Sequence, residues 1–127
     1  PNLRFTDDLL DLCASCDYIT IHVPATPKTK GMIGADEIAA MKEGAAFLNF
    51  SRDTLVDNDA MRAGLTSGKI RRYVTDFATP EVMTMEGALV LPHLGASTAE
   101  AEENCAEMAV REVMDYLETG KKVHCVN

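Results

Sequence analysis

No apolar run in this 127-residue chain approaches the roughly 20 residues that a membrane span requires, so a membrane is not an expected partner. The opening residues, Pro1-Asn2-Leu3-Arg4, lack the apolar core of a signal peptide, and the expectation is a cytoplasmic protein. Basic residues are few. Twelve Lys and Arg stand against 20 Asp and Glu, a net charge of −8, and that mean field repels nucleic-acid phosphates. Metal-ligand spacing is also missing. Cys13 and Cys16 form a C-x-x-C, but Cys105 and Cys125 stand apart and no His pair joins them, which argues against zinc. A thioredoxin-type pair opens a helix after a strand. This pair falls late in a helical segment ahead of a strand, so the thiols read as buried or half-buried side chains. What is present, 46% hydrophobic and 25% charged residues, is the make-up of one small globular domain.

Helix and strand signals alternate along the chain, with no repeat and no linker. Thr6 with Asp7 and Asp8 reads as a helix start, and Leu9, Leu10, Leu12 and Cys13 supply its apolar face to about Cys16. Tyr18–Val23 is β-rich and stopped by Pro24, a first strand. Ala35–Lys42 reads as a short helix closed by Gly44, and Ala45–Phe50 as a strand apolar on both faces. Asp57 caps a further helix that Gly68 ends; strands follow over about Arg72–Phe77 and Ala88–Leu91. A last helix starts at a Ser97/Glu100 capping box. It carries Ala101, Cys105, Met108, Ala109, Val113, Tyr116 and Leu117 on one face and stops at Gly120. Short strands separated by helices imply an α/β fold with a parallel sheet of about four strands and helices on both faces. The segment between the third and fourth strands is short for a helical crossover, which leaves its geometry open.

Open parallel sheets bind ligands beyond the carboxyl ends of their strands. There the sequence places Pro24, then Ser51 and Arg52, then Asp76 and Glu81, then His93 to Thr98. An Arg offers a planar fork for a carboxylate, and a His beside a carboxylate suits acid/base work near neutral pH. Together they fit proton transfer on a small hydroxy or keto acid. Each residue also has a plainer reading: Arg52 as a surface cation beside Asp53 and Asp57, Asp76 as a turn cap, Glu81 as a solvated turn residue, His93 as a loop side chain. His22 and His124 receive no role.

Four ordered stretches carry a family resemblance: Asp17–Pro24, Asn49-Phe50-Ser51-Arg52, Val74-Thr75-Asp76-Phe77, and Leu91–Thr98. Together with Glu102–Ala109 they resemble the D-2-hydroxyacid dehydrogenases over nearly the whole chain. The resemblance implies a partial Rossmann-like doubly wound sheet, NAD as cofactor, and a 2-hydroxy or 2-keto acid as substrate, with 3-phosphoglycerate, and so serine biosynthesis, foremost. It assigns catalysis to Arg52 on the substrate carboxylate, to His93 as acid/base, and to Glu81 as the group orienting His93. It assigns cofactor contacts to Pro24, Phe50, Ser51, Arg52, Asp76, His93, Leu94, Gly95 and Ala96, with Asp76 near the nicotinamide amide. Asp53 departs from the Gly usual in the family. No G-x-G-x-x-G pyrophosphate cradle is present, because the eight glycines are dispersed. Residues 1–127 are therefore expected to form the C-terminal half of a dinucleotide-binding domain, without its Gly-rich first half or a substrate domain. Two readings follow: a catalytic piece of an oxidoreductase that forms homo-oligomers, or an inactive half-domain that serves association.

Overall fold

The computed structural model describes residues 3–125; of the chain start read above, Pro1 and Asn2 lie outside them. The chain falls into two compact units, residues 1–93 and 94–127, and each is described by itself.

In the first unit, β1 (Tyr18–Ile21), β2 (Ala45–Asn49), β3 (Ile70–Thr75) and β4 (Ala88–Val90) form one sheet in the order β1-β2-β3-β4. Every pairing is parallel, as the alternation of helix and strand predicts. Strands β1, β2 and β4 end before their apolar runs do, and β3 lies two residues earlier than the expected Arg72–Phe77, so Val23, Phe50, Asp76 and Leu91 all fall beyond strand ends. The register sets Ile19, Phe47, Tyr73 and Ala88 in one row and Ile21, Asn49, Thr75 and Val90 in the next. These two rows form the buried face, where the Phe47 and Tyr73 rings lie 6.2 Å apart and tilted. Asn49 and Thr75 are its two buried polar residues among those described.

Helix α1 (Leu9–Ser15) starts two residues later than a cap at Thr6 implies. Asp8 is the cap, accepting from the amides of Leu10 and Asp11, while Thr6 accepts from the Asp8 amide just upstream. Helix α2 spans Ala35–Ala40 and packs on α1. Asp57 caps α3 (Asn58–Ser67) by accepting from the Ala60 amide, and Gly68 closes it with a left-handed φ of +81°. Gly64 permits the close approach of α3 to its neighbours. A Cβ there would stand 2.9 Å from Ile38 and 3.1 Å from Ile70, nearer than packed carbons come. The open question between β3 and β4 is answered by one helical turn, α4 (Pro80–Met83). Thr79 caps it by accepting from the Val82 amide, and Val82 is buried.

The second unit is built around α5 (Ala99–Thr119). Its cap is Thr98, which accepts from the Ala101 amide, and not the Ser97 of the expected capping box. The Ser97 amide instead donates to the Leu94 carbonyl, closing a turn before the helix. Gly120 ends the helix as expected, with φ +70° and its amide on the Tyr116 carbonyl. No residue of α5 is buried. The expectation of buried or half-buried thiols accordingly holds for Cys13 and Cys16, whereas Cys105 and Cys125 are exposed. Among the described residues no helix is long and apolar enough to cross a membrane.

Candidate active site

The site begins with Asn49, the last residue of β2. A buried amide needs partners. Its Nδ2 donates to the Arg52 carbonyl at 2.8 Å, and its Oδ1 accepts from the Ser51 amide at 3.1 Å. One side chain thus folds the loop that presents Ser51 and Arg52. The Ser51 hydroxyl donates to the Val23 carbonyl at 2.7 Å, tying this loop to the chain leaving β1. Arg52 is exposed and has extended backbone. Its guanidinium donates to the Ser51 carbonyl, and no carboxylate among the described residues lies within ion-pair range of it. The surface-cation reading beside Asp53 and Asp57 therefore has no ion pair behind it. Asp53 opens a short 3-10 turn, Asp53–Leu55, outside the left-handed region. The Gly-to-Asp departure thus carries no strain here, and Asp53 Oδ1 accepts from the Thr54 amide.

Beyond β3 and β4 the chain brings a carboxylate and an imidazole together. Thr75 pairs with Val90, and the Leu91 amide donates to the Thr75 carbonyl at 2.8 Å, so the two strand exits run side by side. Asp76 Oδ2 then lies 2.8 Å from His93 Nδ1. The Phe77 ring stands 5.2 Å from the imidazole, tilted against it. The Asp76 side chain is 12% exposed, against 60% for His93. Asp76 Oδ1 is fully buried and has no hydrogen-bond partner.

Glu81, expected on His93, is elsewhere. It sits in the first turn of α4, exposed, with its main-chain carbonyl bonded by Arg62 of α3 at 2.9 Å. It lines a cleft of about 510 Å³ together with Asp53, Tyr73, Phe77 and Thr79. The carboxylate on His93 is Asp76, because the paired exits of β3 and β4 place residue 76 against the segment that carries residue 93.

Pro24 is exposed after β1, and its carbonyl accepts from the Thr29 hydroxyl. Phe50 is exposed beside Ser51. Leu94, Gly95 and Ala96 belong to the second unit, exposed in the turn that precedes α5. Sequence reasoning gave no role to Asn49 or Tyr73. The signal for Asn49 was a lone amide ending an otherwise apolar strand. Burial pushes the Tyr73 hydroxyl above its ordinary pKa and the nearby Asp53 charge adds to this, while bonds from Asn49 and Thr75 oppose it.

A guanidinium with no carboxylate partner, an imidazole against a carboxylate, and a buried acceptor stand at the carboxyl ends of consecutive parallel strands. The acceptor also tests the fit of a nicotinamide group. Asp76 Oδ1 costs free energy unless a donor reaches it, and a carboxamide N–H is such a donor. Fold and strand-end chemistry define part of a nucleotide-binding α/β domain. The chain belongs to the D-isomer specific 2-hydroxyacid dehydrogenases, in their NAD binding domain, which matches residues 2–95. It is 36% identical over 121 residues to D-3-phosphoglycerate dehydrogenase of Methanocaldococcus jannaschii, covering 91% of this chain and 23% of that one. To glyoxylate/hydroxypyruvate reductase B of Cronobacter sakazakii it is 35% identical over 133 residues, covering 99% and 41%. A D-isomer specific 2-hydroxyacid dehydrogenase from Xanthobacter autotrophicus Py2, solved with NADPH and MES, superposes with a TM-score of 0.77 at 28% identity, covering 91% and 50%. The chain thus spans between about a quarter and two-fifths of these two curated relatives. NAD is the cofactor of its family.

Proposed function

We propose that this chain supplies the strand-end half of an NAD-dependent dehydrogenase of D-2-hydroxy acids, the C-terminal part of its dinucleotide-binding domain. The observation that carries this is that an Arg with no carboxylate partner follows β2 while an imidazole braced by Asp76 and Phe77 follows β4, at the same carboxyl edge of the sheet. Arg52 clamps the substrate carboxylate through two parallel N–H donors and polarises the adjacent carbonyl. His93 takes the hydroxyl proton in oxidation and returns it to the carbonyl oxygen in reduction. Asp76 Oδ1 offers an acceptor for the nicotinamide amide, with Pro24, Phe50, Ser51, Arg52, His93 and Leu94 to Ala96 as the remaining contacts of the cofactor-binding set. The bound nicotinamide supplies the hydride acceptor or donor. Glu81 is the third group of the catalytic set, at the rim of the acidic cleft. The likeness to relatives named for phosphoglycerate favours 3-phosphoglycerate, a step in serine biosynthesis, in the cytoplasm.

The test is kinetic, in the complete enzyme that contains this sequence. His93→Ala lowers kcat with 3-phosphoglycerate by roughly 10²- to 10⁴-fold, and Arg52→Ala raises KM for the carboxylate. Unchanged kcat in the His93 variant removes it from the mechanism. A second reading has its own observation, the exposed Met108, Val110, Val113, Met114 and Leu117 of α5. It makes the chain an association module that forms homo-oligomers. Sedimentation equilibrium decides it: a monomer at high concentration rules the module out.

A further inference from the structure

Glu81 stands on α4, a helix of only 4 residues. So short a helix is not stable alone in water, and its last carbonyls have no partners within it. Its start is met by the Thr79 hydroxyl, and Val82 and Met85 hold its inner side in the core. Its end has no basic residue of its own. A residue of α3 supplies one. Arg62 Nη2 donates to the Glu81 carbonyl at 2.9 Å and to the Thr84 hydroxyl at 3.1 Å, while Nη1 donates to the Thr84 carbonyl at 3.4 Å. The Thr84 hydroxyl in turn donates to the same Glu81 carbonyl at 2.9 Å. A planar, charged fork thus closes the carboxyl end of α4 from outside the helix. It holds Glu81 by the main chain alone. Among the described residues neither Arg62 nor Glu81 takes part in an ion pair, so the Glu81 carboxylate keeps its charge unpaired. Asp53, Asp57 and Asp59 line the same cleft, and their charge repels a loosely held carboxylate.

We propose that Arg62 is a positioning residue for Glu81, fixing where that carboxylate stands without neutralising it. This rests on the reading of Glu81 as a member of the catalytic set. It gives α3, otherwise a helix that packs on the sheet, a part in the reaction. The geometry separates two things a cation can do beside an acid. An ammonium or guanidinium on the carboxylate would lower its basicity, whereas a fork on the backbone carbonyls sets its place and leaves its proton affinity to the cleft.

The experiment is a double-mutant cycle in the complete enzyme that contains this sequence, with 3-phosphoglycerate and NAD. Glu81→Gln is expected to lower kcat by at least about 10²-fold. Arg62→Met is expected to lower kcat by roughly 10- to 10²-fold, with KM for the carboxylate little changed. Together the two cost no more than Glu81→Gln alone, within about twofold, because Arg62 acts through a carboxylate already removed. An Arg62 that served stability alone would give losses that multiply. Multiplying losses overturn the proposal, and so does an unchanged kcat in a folded Arg62→Met enzyme. Should Arg62→Met fail to fold, Thr84→Val takes its place in the cycle, since it removes the hydroxyl that bridges Arg62 and the Glu81 carbonyl. Its loss is smaller and the criteria are the same. An unchanged kcat in Glu81→Gln refutes the catalytic reading of Glu81 and the proposal with it. A loss in Glu81→Gln that is not coupled to Arg62 refutes the positioning role alone.

Discussion

Residues 1–93 and 94–127 obey the same local rules and end in opposite states. Both have helices started by a side-chain cap and stopped by a left-handed glycine, and both carry apolar residues at the period of their elements. In the first unit those residues meet a sheet and disappear: Phe47, Leu55 and Met61 are fully buried. In the second, the stripe on α5 stays in view, with Leu117 76% exposed. Period states which face of a helix is apolar. Burial is a property of what stands opposite, and no residue of a helix encodes that by itself.

The largest expected effect sharpens this contrast. Phe47→Ala removes a ring packed against Tyr73 and buried on the sheet face, and it lowers unfolding free energy by about 3–5 kcal/mol. Leu117→Ala deletes an apolar side chain from α5 and changes stability by no more than about 0.5 kcal/mol. Urea unfolding of both variants checks the pair. A cost at Leu117 comparable with that at Phe47 would show that the α5 stripe is covered in solution.

A smaller effect divides the first unit itself into packing and site. Asn49→Ala leaves the Ser51 amide and the Arg52 carbonyl without the side chain that binds both, at a cost of about 1–3 kcal/mol. Its second consequence is functional, because the loop carrying Arg52 loses its brace. In the complete enzyme KM for the carboxylate substrate should rise while the His93 proton step changes less. A raised melting temperature with unaltered KM would refute the bracing role.

Much of this architecture was legible in the residues. The strands showed as β-rich runs, Asp57 and Gly68 marked both ends of α3, and the strand-end positions of Arg52, Asp76 and His93 followed from parallel topology. Three features were not legible, each for a physical reason. Glu81 and Asp76 are both acids within a short span, and only the pairing of the β3 and β4 exits decides which one meets His93. The α5 cap shifted from Ser97 to Thr98 because the Ser97 amide closes a turn on Leu94, a choice between two similar hydroxyls. The one-turn α4 is shorter than any hydrophobic period can reveal, and the Thr79 cap with Pro80 is its only local signature. The strand order adds a related point. It runs without reversal from β1 to β4, so a topological switch point, where dinucleotide crevices form, is not among the described strands.

The smallest effect depends on pH and again separates the two units. Tyr73 is buried, and burial holds its hydroxyl pKa above the ordinary value, so the folded chain keeps that proton after the unfolded chain would release it. The contribution to stability is complete below pH about 10, the unfolded value. It is lost as pH rises through the higher folded value, since ionisation then favours the unfolded state. Burial raises the Cys13 thiol in the same sense, which starts a similar loss near its own unfolded value, at lower pH. Tyr73→Phe removes the tyrosine share, so the fall in melting temperature between pH 8 and pH 11 becomes shallower than in the wild type. The same change at Tyr116, exposed on α5, is the control. A Tyr73→Phe profile that falls as steeply as the wild type would mean that the hydroxyl reaches water, and that the packed face of the sheet is open at the point where Asn49 and Tyr73 meet.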